Sequence, residues 1–96
     1  MSNEEILKNL GRFQPEVKSR FHAELKGFFG SYARGENTQT SDIDILVQFG
    51  TGASLFDYIA LSDFLEDQLH SKVDLVPIDT IREELRERIL KEAIYL

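Results

Sequence analysis

The first part of the chain alternates apolar positions at helical spacing with residues that favour helix ends. Ile6 and Leu10 share one face of an amphipathic helix, and Gly11 follows at a position where such a helix can stop. Pro15 suits the first turn of a helix, so a second helical piece is predicted from there to about Phe21. The pattern therefore predicts two short helices before the first strand.

A short strand and a short helix are predicted next. Residues 25–29 (LKGFF) form an apolar run of strand length that ends at Gly30-Ser31. Ser31 can cap a short helix through Arg34, and Gly35 would end that helix. The following residues 36–41 (ENTQTS) are polar and favour turns, so they are expected to form an exposed loop.

The middle of the chain predicts a half-buried strand followed by a longer helix. Residues 42–49 (DIDILVQF) place apolar side chains at every second position, which is typical of a strand with one face on the core. Ser54 and Asp57 resemble a capping box at the start of a helix that reaches about Leu69. The apolar positions of this helix mostly follow the helical period: Leu55, Ile59, Leu61, Leu65 and Leu69.

A third strand and a last helix complete the predicted elements. Residues 72–77 (KVDLVP) form the strand, and the helix starts near Thr80 with a charged, solvent-facing side. Its predicted buried stripe consists of Ile81, Leu85, Ile89 and Ala93. Five phenylalanines are predicted in the core: Phe28, Phe29, Phe49, Phe56 and Phe64. Strands that alternate with helices predict an α/β fold, a small mixed sheet with helices packed on it.

The composition fits one small domain over residues 1–96 and restricts its partners. Seventeen acidic residues against 11 basic ones give a formal net charge of -6, the wrong sign for a protein held to nucleic acid by its phosphates. The chain has no cysteine, which excludes disulfides and thiolate metal sites. No apolar stretch has the length of a signal-peptide core or a membrane span. We therefore expect a cytoplasmic domain that binds neither membranes nor nucleic acid directly.

Three aspartates form the candidate chemical centre. Asp42 and Asp44 are two residues apart on a strand, so both carboxylates face away from the core. Asp74 lies in another strand, where an unpaired charge among valines and leucines would be unfavourable. If these strands are neighbours, the carboxylates converge, and either their pKa values rise or a cation lies between them. Mg²⁺ is the cation that such a carboxylate set suits.

A candidate phosphate site lies at Gly30-Ser31, where a predicted strand meets a helix N-terminus. Backbone N–H groups and the helix dipole favour an anion there, and the glycine permits close approach. Arg34, about one turn further on, could add a positive charge to a triphosphate. The two histidines, His22 and His70, have no ligand-like spacing and are expected to be structural or surface residues.

These motifs together resemble the signature of the DNA polymerase β-like nucleotidyltransferase superfamily. Gly30-Ser31 is followed by Asp42-x-Asp44 and then by Asp74 in a later strand. Residues 28–49 (FFGSYARGENTQTSDIDILVQF) are similar to the minimal nucleotidyltransferase (MNT) family, whose members act as antitoxins beside HEPN-domain toxins. The resemblance covers about the last 70 residues.

The resemblance implies a polymerase β-like fold, a reaction and a role for each motif residue. Ser31 would contact the phosphates of ATP, Asp42 and Asp44 would bind Mg²⁺, as a pair of ions in the reacting complex, and Asp74 would be the third carboxylate, which helps to activate the acceptor hydroxyl. The implied reaction transfers AMP to a tyrosine of a HEPN-domain toxin, with which the chain would form a hetero-oligomer. Two alternatives stay open: an antitoxin that neutralises its toxin by binding alone, and a nucleotidyltransferase that modifies a small molecule.

Overall fold

A four-stranded mixed sheet organises the protein, whose computed structural model describes residues 1–96. The strands are β1 (Ala23–Phe29), β2 (Ile43–Phe49), β3 (Val73–Pro77) and β4 (Ile94–Tyr95), and the helices are α1 (Asn3–Phe21), α2 (Gly30–Arg34), α3 (Leu55–Leu69) and α4 (Glu83–Glu92). The strand order is β3-β2-β1-β4; β1 is antiparallel to β2 and β4, and β2 is parallel to β3. The predicted α/β class and the small mixed sheet are confirmed.

The N-terminal segment forms one continuous helix, so the prediction of two short helices was wrong. Ser2 and Glu5 form a capping box at its start, and Pro15 lies inside the helix. The buried stripe runs through both expected breakpoints: Ile6, Leu10, Phe13, Val17 and Phe21. Packing of that stripe on the core therefore outweighs the local preferences of Gly11 and Pro15.

One layer of helices covers one face of the sheet. Residues from α1, α3 and alternate positions of the strands form a single buried cluster, in which Phe28, Ile43 and Ile45 are completely buried. Gln14 ties α1 to β1, since its side chain donates to the Leu25 carbonyl at 2.8 Å and accepts from the Leu25 N–H at 2.7 Å. None of the helices is long and apolar enough to cross a membrane.

The start of α3 is exposed, contrary to the prediction. Phe56, expected in the core, is 83% exposed, and Leu55 is 72% exposed. At about 100° per residue, the stripe of Leu61, Leu65 and Leu69 that faces the core leaves Phe56 on the opposite side of the helix. Phe56 therefore lies on the solvent-facing side, because the apolar positions of α3 do not keep a regular helical spacing.

The last helix also differs from its prediction. It begins at Glu83 after a 3-10 turn over Ile78–Thr80, and it has no buried residue. The predicted stripe of Ile81, Leu85, Ile89 and Ala93 is therefore only partly covered, with Leu85 37% exposed. The stripe is only partly covered because α4 lies beside the short helix α2 rather than under the sheet.

A short C-terminal strand, β4, is present that the sequence did not predict. Ile94 and Tyr95 pair with Phe28 and Gly27, and the Leu96 N–H donates to the Lys26 carbonyl at 2.9 Å. Gly27 makes this approach possible because a Cβ there would collide with the Ile94 backbone. The glycine thus allows the C-terminus to become an edge strand.

Gly27→Ala should destabilise the protein by about 2 kcal/mol, because the new methyl group displaces β4. Gly11→Ala is the matched control: its methyl group would meet only Leu96 Cδ2 at 3.9 Å, an ordinary contact in an exposed part of α1. The control should be neutral or more stable, by up to about 1 kcal/mol. Urea unfolding measures both variants, and equal stability of Gly27→Ala and wild type would contradict the role assigned to the glycine.

Candidate active site

The parallel pairing of β2 and β3 brings two of the predicted aspartates face to face. Asp44 lies directly opposite Asp74 in the register, so their side chains emerge on the same side of the sheet. Asp42 lies immediately before β2. The neighbouring Ile43 and Ile45 point to the core, which leaves the acidic side chains on the face that α1 and α3 do not cover.

The three carboxylates influence one another electrostatically. The pKa of Asp44 is raised from 3.8 to about 6, first by partial burial and then by the negative charges of Asp74 and Asp42. A hydrogen bond with Asp74 also raises this pKa, while Arg34 opposes the shift. The sheet therefore concentrates negative charge at a position where a cation would be stabilising.

The aspartate carboxylates suit a metal ion that takes some of its ligands from the substrate. No group of three or more His, Cys, Asp or Glu side chains forms a metal-binding cluster by itself. Mg²⁺ does not need one, because it is commonly held by one or two carboxylates together with waters and substrate phosphates. Asp44 with Asp74 or Asp42 supplies hard oxygen donors of that kind, and the like-charge repulsion that raises the pKa of Asp44 is what a divalent ion would relieve.

Gly30 brings the candidate phosphate turn against Asp44. Its φ of 78° is in the left-handed region, and a Cβ at this position would collide with the Asp44 carboxylate. Phe29, the preceding residue, pairs with Asp44 across β1 and β2. The turn and the acidic cluster are thus parts of one site, and only glycine fits between them.

The prediction that Ser31 caps the short helix was wrong. The capping position belongs to Phe29, no side chain caps the helix, and Ser31 is the second residue of α2. The capping geometry starts earlier because Gly30 already turns the chain. Ser31 is partly exposed. The predicted end of α2 is confirmed, with Gly35 in the left-handed conformation at φ 72°.

Arg34 is held between two acidic residues. Its Nε donates to Glu36 Oε1 at 2.8 Å and its Nη1 to Glu92 Oε1 at 2.7 Å. These hydrogen bonds raise the pKa of Arg34, which therefore remains charged, and its side chain is 47% exposed. The structure thus places Arg34 beside the turn, but with part of its charge already compensated.

Glu92 is a residue of this site that the sequence did not reveal. Its Oε2 accepts the Gly30 N–H at 3.0 Å, and its other oxygen accepts from Arg34. Partial burial disfavours the charged carboxylate, but the hydrogen bonds from Arg34 and Gly30 outweigh it and lower the pKa of Glu92. No local pattern could have indicated this contact, because 62 residues separate Glu92 from Gly30.

The remaining candidates lie around the site or away from it. His22 and His70 are exposed and occupy left-handed positions at the C-termini of α1 and α3, in agreement with the structural role expected for them. A cleft of about 540 Å³ opens beside Asp42, and Asp44 and Asp74 do not line it. The cleft is lined by Tyr32, Gln39, Thr40, Ser41, Asp42, His70, Ser71 and Lys72.

Comparison with known proteins places this arrangement in a family. Residues 10–96 match the nucleotidyltransferase domain. The chain is 39% identical over 93 residues to the protein adenylyltransferase MntA of Thermococcus cleftensis, covering 97% of this chain and 94% of that protein. It is 52% identical over 66 residues to a Methanocaldococcus jannaschii protein provisionally assigned as a protein adenylyltransferase, covering 69% of this chain and 71% of the relative.

Solved structures agree with the sequence relatives. A provisionally assigned minimal nucleotidyltransferase superposes with a TM-score of 0.82 at 36% identity, covering 100% of this chain and 97% of the other. A toxin–antitoxin structure with AMP-PNP superposes with a TM-score of 0.69 at 26% identity, covering 99% of this chain and 72% of the other. The family match and relatives that align along nearly the whole chain show that this protein belongs to the nucleotidyltransferases, as an enzyme of the minimal type.

Proposed function

We propose that this protein transfers AMP from Mg-ATP to a hydroxyl group of a partner toxin and thereby neutralises the toxin. The single observation that carries the proposal is the juxtaposition of Asp44 and Asp74 beside the Gly30 turn. It combines a carboxylate pair suited to Mg²⁺ with a backbone turn suited to phosphate. The protein adenylyltransferase name of MntA and the AMP-PNP ligand in a structural neighbour support the choice of nucleotide and acceptor class.

Each site residue has a distinct part in the proposed reaction. Ser31 and the N-terminus of α2 hold the phosphates, and Asp42 and Asp44 provide metal ligands. Bound Mg²⁺, in one or two ions, would neutralise the triphosphate and stabilise the charge that develops on the leaving pyrophosphate. Arg34 lies close enough to the turn to contribute a charge-assisted hydrogen bond to a phosphate oxygen.

Asp74 is the group proposed to act on the acceptor. It completes the metal-binding carboxylates, and it is exposed whereas Asp44 is half-buried, so a hydroxyl from outside can approach it. The acceptor oxygen attacks the α-phosphorus, the bond between that phosphorus and the bridging oxygen of the β-phosphate breaks, and pyrophosphate leaves. The acceptor proton passes to Asp74 or to a water that Asp74 orients. The products are an AMP ester of the acceptor and pyrophosphate.

A protein acceptor fits the open form of the site. The face of the sheet that carries the aspartates is not covered by α1 or α3, and Asp42 and Asp74 are exposed on it. A partner could therefore bring its own side chain to the carboxylates. The resemblance to MNT antitoxins extends the proposal to a tyrosine of a HEPN-domain toxin as the acceptor and to a hetero-oligomer with that toxin.

The first prediction concerns the product. With Mg²⁺ and ATP, wild-type protein should add the mass of AMP to its co-purified toxin, and intact-mass spectrometry should detect the adduct. Omission of Mg²⁺ is the control and should abolish it. Neutralisation of the toxin without any AMP adduct would favour an antitoxin that acts by binding alone.

The second prediction separates the roles of two aspartates. Asp74→Asn should retain Mg-ATP binding but lose most transfer, by about 100-fold or more, because it removes the acceptor-side base. Asp44→Asn should weaken both binding and transfer because Asp44 is placed as a metal ligand. Calorimetric titration and a transfer assay measure the two effects. Equal loss of Mg-ATP binding in both variants would mean that Asp74 is mainly a metal ligand.

The third prediction concerns stability without divalent metal. Because the pKa of Asp44 is about 6 in the fold and 3.8 ordinarily, its ionisation destabilises the fold, and stability is lost as pH rises from about 4 to 6. Asp44→Asn removes this charge and can still donate an amide hydrogen to Asp74. After allowance for solvent screening, the variant should be more stable than wild type at pH 7 by ~1 kcal/mol, and similar at pH 4.

With saturating Mg-ATP the order should reverse, because wild type gains ligand stabilisation that Asp44→Asn largely forgoes. Thermal melts in EDTA and in Mg-ATP measure both orders. A variant less stable than wild type in EDTA at pH 7 would contradict the electrostatic cost assigned to the aspartate cluster.

A further inference from the structure

Glu92 connects the end of the chain to the phosphate turn. It is the last residue of α4, and its two carboxylate oxygens bind different groups: Oε2 accepts the Gly30 N–H at 3.0 Å and Oε1 accepts from Arg34 Nη1 at 2.7 Å. Its side chain is only 18% exposed. We call these two contacts the Glu92 bridge. They join the first residue of α2 to the last.

The Glu92 bridge leaves other phosphate-binding groups accessible. Arg34 uses Nε for Glu36 and Nη1 for Glu92, so its Nη2 remains available to a ligand. The two oxygens of Glu92 accept from Gly30 and Arg34 and not from Ser31, which is partly exposed. A carboxylate that only imitated a bound phosphate would be expected to occupy these groups too. The contacts instead resemble a support that lies behind the turn.

The position of Glu92 is itself determined by the sheet. The residues after it form β4, which pairs with Gly27 and Phe28 of β1, and the Leu96 N–H bonds to Lys26. β1 leads directly into the Gly30 turn. The strand that carries the turn therefore also holds the segment that carries Glu92, so the two ends of the Glu92 bridge share one rigid base.

We propose that Glu92 is a positioning residue for the triphosphate: the Glu92 bridge orients the Gly30 turn and the Arg34 guanidinium before the nucleotide binds. This inference rests on the proposed nucleotide transfer. A planar guanidinium fixed by two carboxylates has already lost much of its rotational freedom, so less entropy is lost when phosphate arrives. The effect falls on nucleotide affinity, since Glu92 contacts neither the carboxylate pair nor the acceptor side.

The test compares Glu92→Gln and Glu92→Ala with Glu87→Gln. Glu87 is on the same helix, exposed and paired with Lys91 at 3.3 Å, so its variant removes a charge from α4 away from the turn. Mg-ATP affinity is measured by calorimetry, and AMP transfer at saturating Mg-ATP by single-turnover assay. The Gly30 amide resonance in a ¹⁵N–¹H spectrum reports the hydrogen bond in the absence of nucleotide.

Glu92→Gln should weaken Mg-ATP binding by roughly tenfold, and Glu92→Ala by more, which is the size expected for charge-assisted hydrogen bonds. Transfer at saturation should stay within about threefold of wild type, and Glu87→Gln should match wild type in both assays. The Gly30 resonance should shift in both Glu92 variants. The isosteric glutamine limits loss of folding, which circular dichroism checks.

Two results would overturn the positioning role. Tighter Mg-ATP binding by Glu92→Gln would show that the carboxylate competes with phosphate, and unchanged affinity with a shifted Gly30 resonance would reduce the Glu92 bridge to a structural contact. Failure of wild type to bind Mg-ATP would instead refute the proposed function. An unshifted Gly30 resonance would refute the Glu92 bridge itself, whatever the protein binds.

Discussion

One unfavourable pairing organises the candidate active site: two carboxylates held opposite each other in adjacent parallel strands. Asp44 and Asp74 occupy the same level of β2 and β3, and burial together with neighbouring charge raises the pKa of Asp44 to about 6. Such an arrangement costs stability unless a proton or cation compensates it. The apolar core beneath it, including the completely buried Ile43 and Ile45, provides the stabilisation that keeps the pair in place.

Strand direction explains why the candidate phosphate turn lies beside this pair. β1 ends at Phe29, and its antiparallel neighbour β2 begins at Ile43, so the end of one strand meets the start of the other. β3 is parallel to β2 and therefore starts at the same end of the sheet. The topology thus brings Gly30, Asp44 and Asp74 together at one end of the strands, although more than 40 residues of sequence separate Gly30 from Asp74.

The C-terminal segment contributes Glu92 to the candidate site. Gly27 lets β4 approach β1, and the segment before β4 then places Glu92 against Gly30 and Arg34. Arg34 is consequently shared between acidic partners instead of standing free, which leaves the site strongly acidic. In the proposed function, metal ions rather than protein cations would therefore supply most of the positive charge that a triphosphate requires.

The sequence by itself determined the elements and residues with local signals. The alternation in residues 42–49 placed Asp42 and Asp44 on one face, Gly30-Ser31 marked the turn, and the strand around Asp74 was recognisable from its valines and leucines. These features can be recognised from neighbouring residues alone, because side-chain direction in a strand follows a period of two. The family resemblance added the roles implied for them.

Tertiary structure alone decided the rest. Contacts with the core keep α1 continuous through Gly11 and Pro15, and the position of α3 leaves Phe56 in solvent, although local propensity and hydrophobicity favoured the opposite outcomes. The strand β4 and the contact of Glu92 with Gly30 join residues far apart in the chain. Such contacts depend on how the elements pack together in space, and no periodicity within a single segment records that packing.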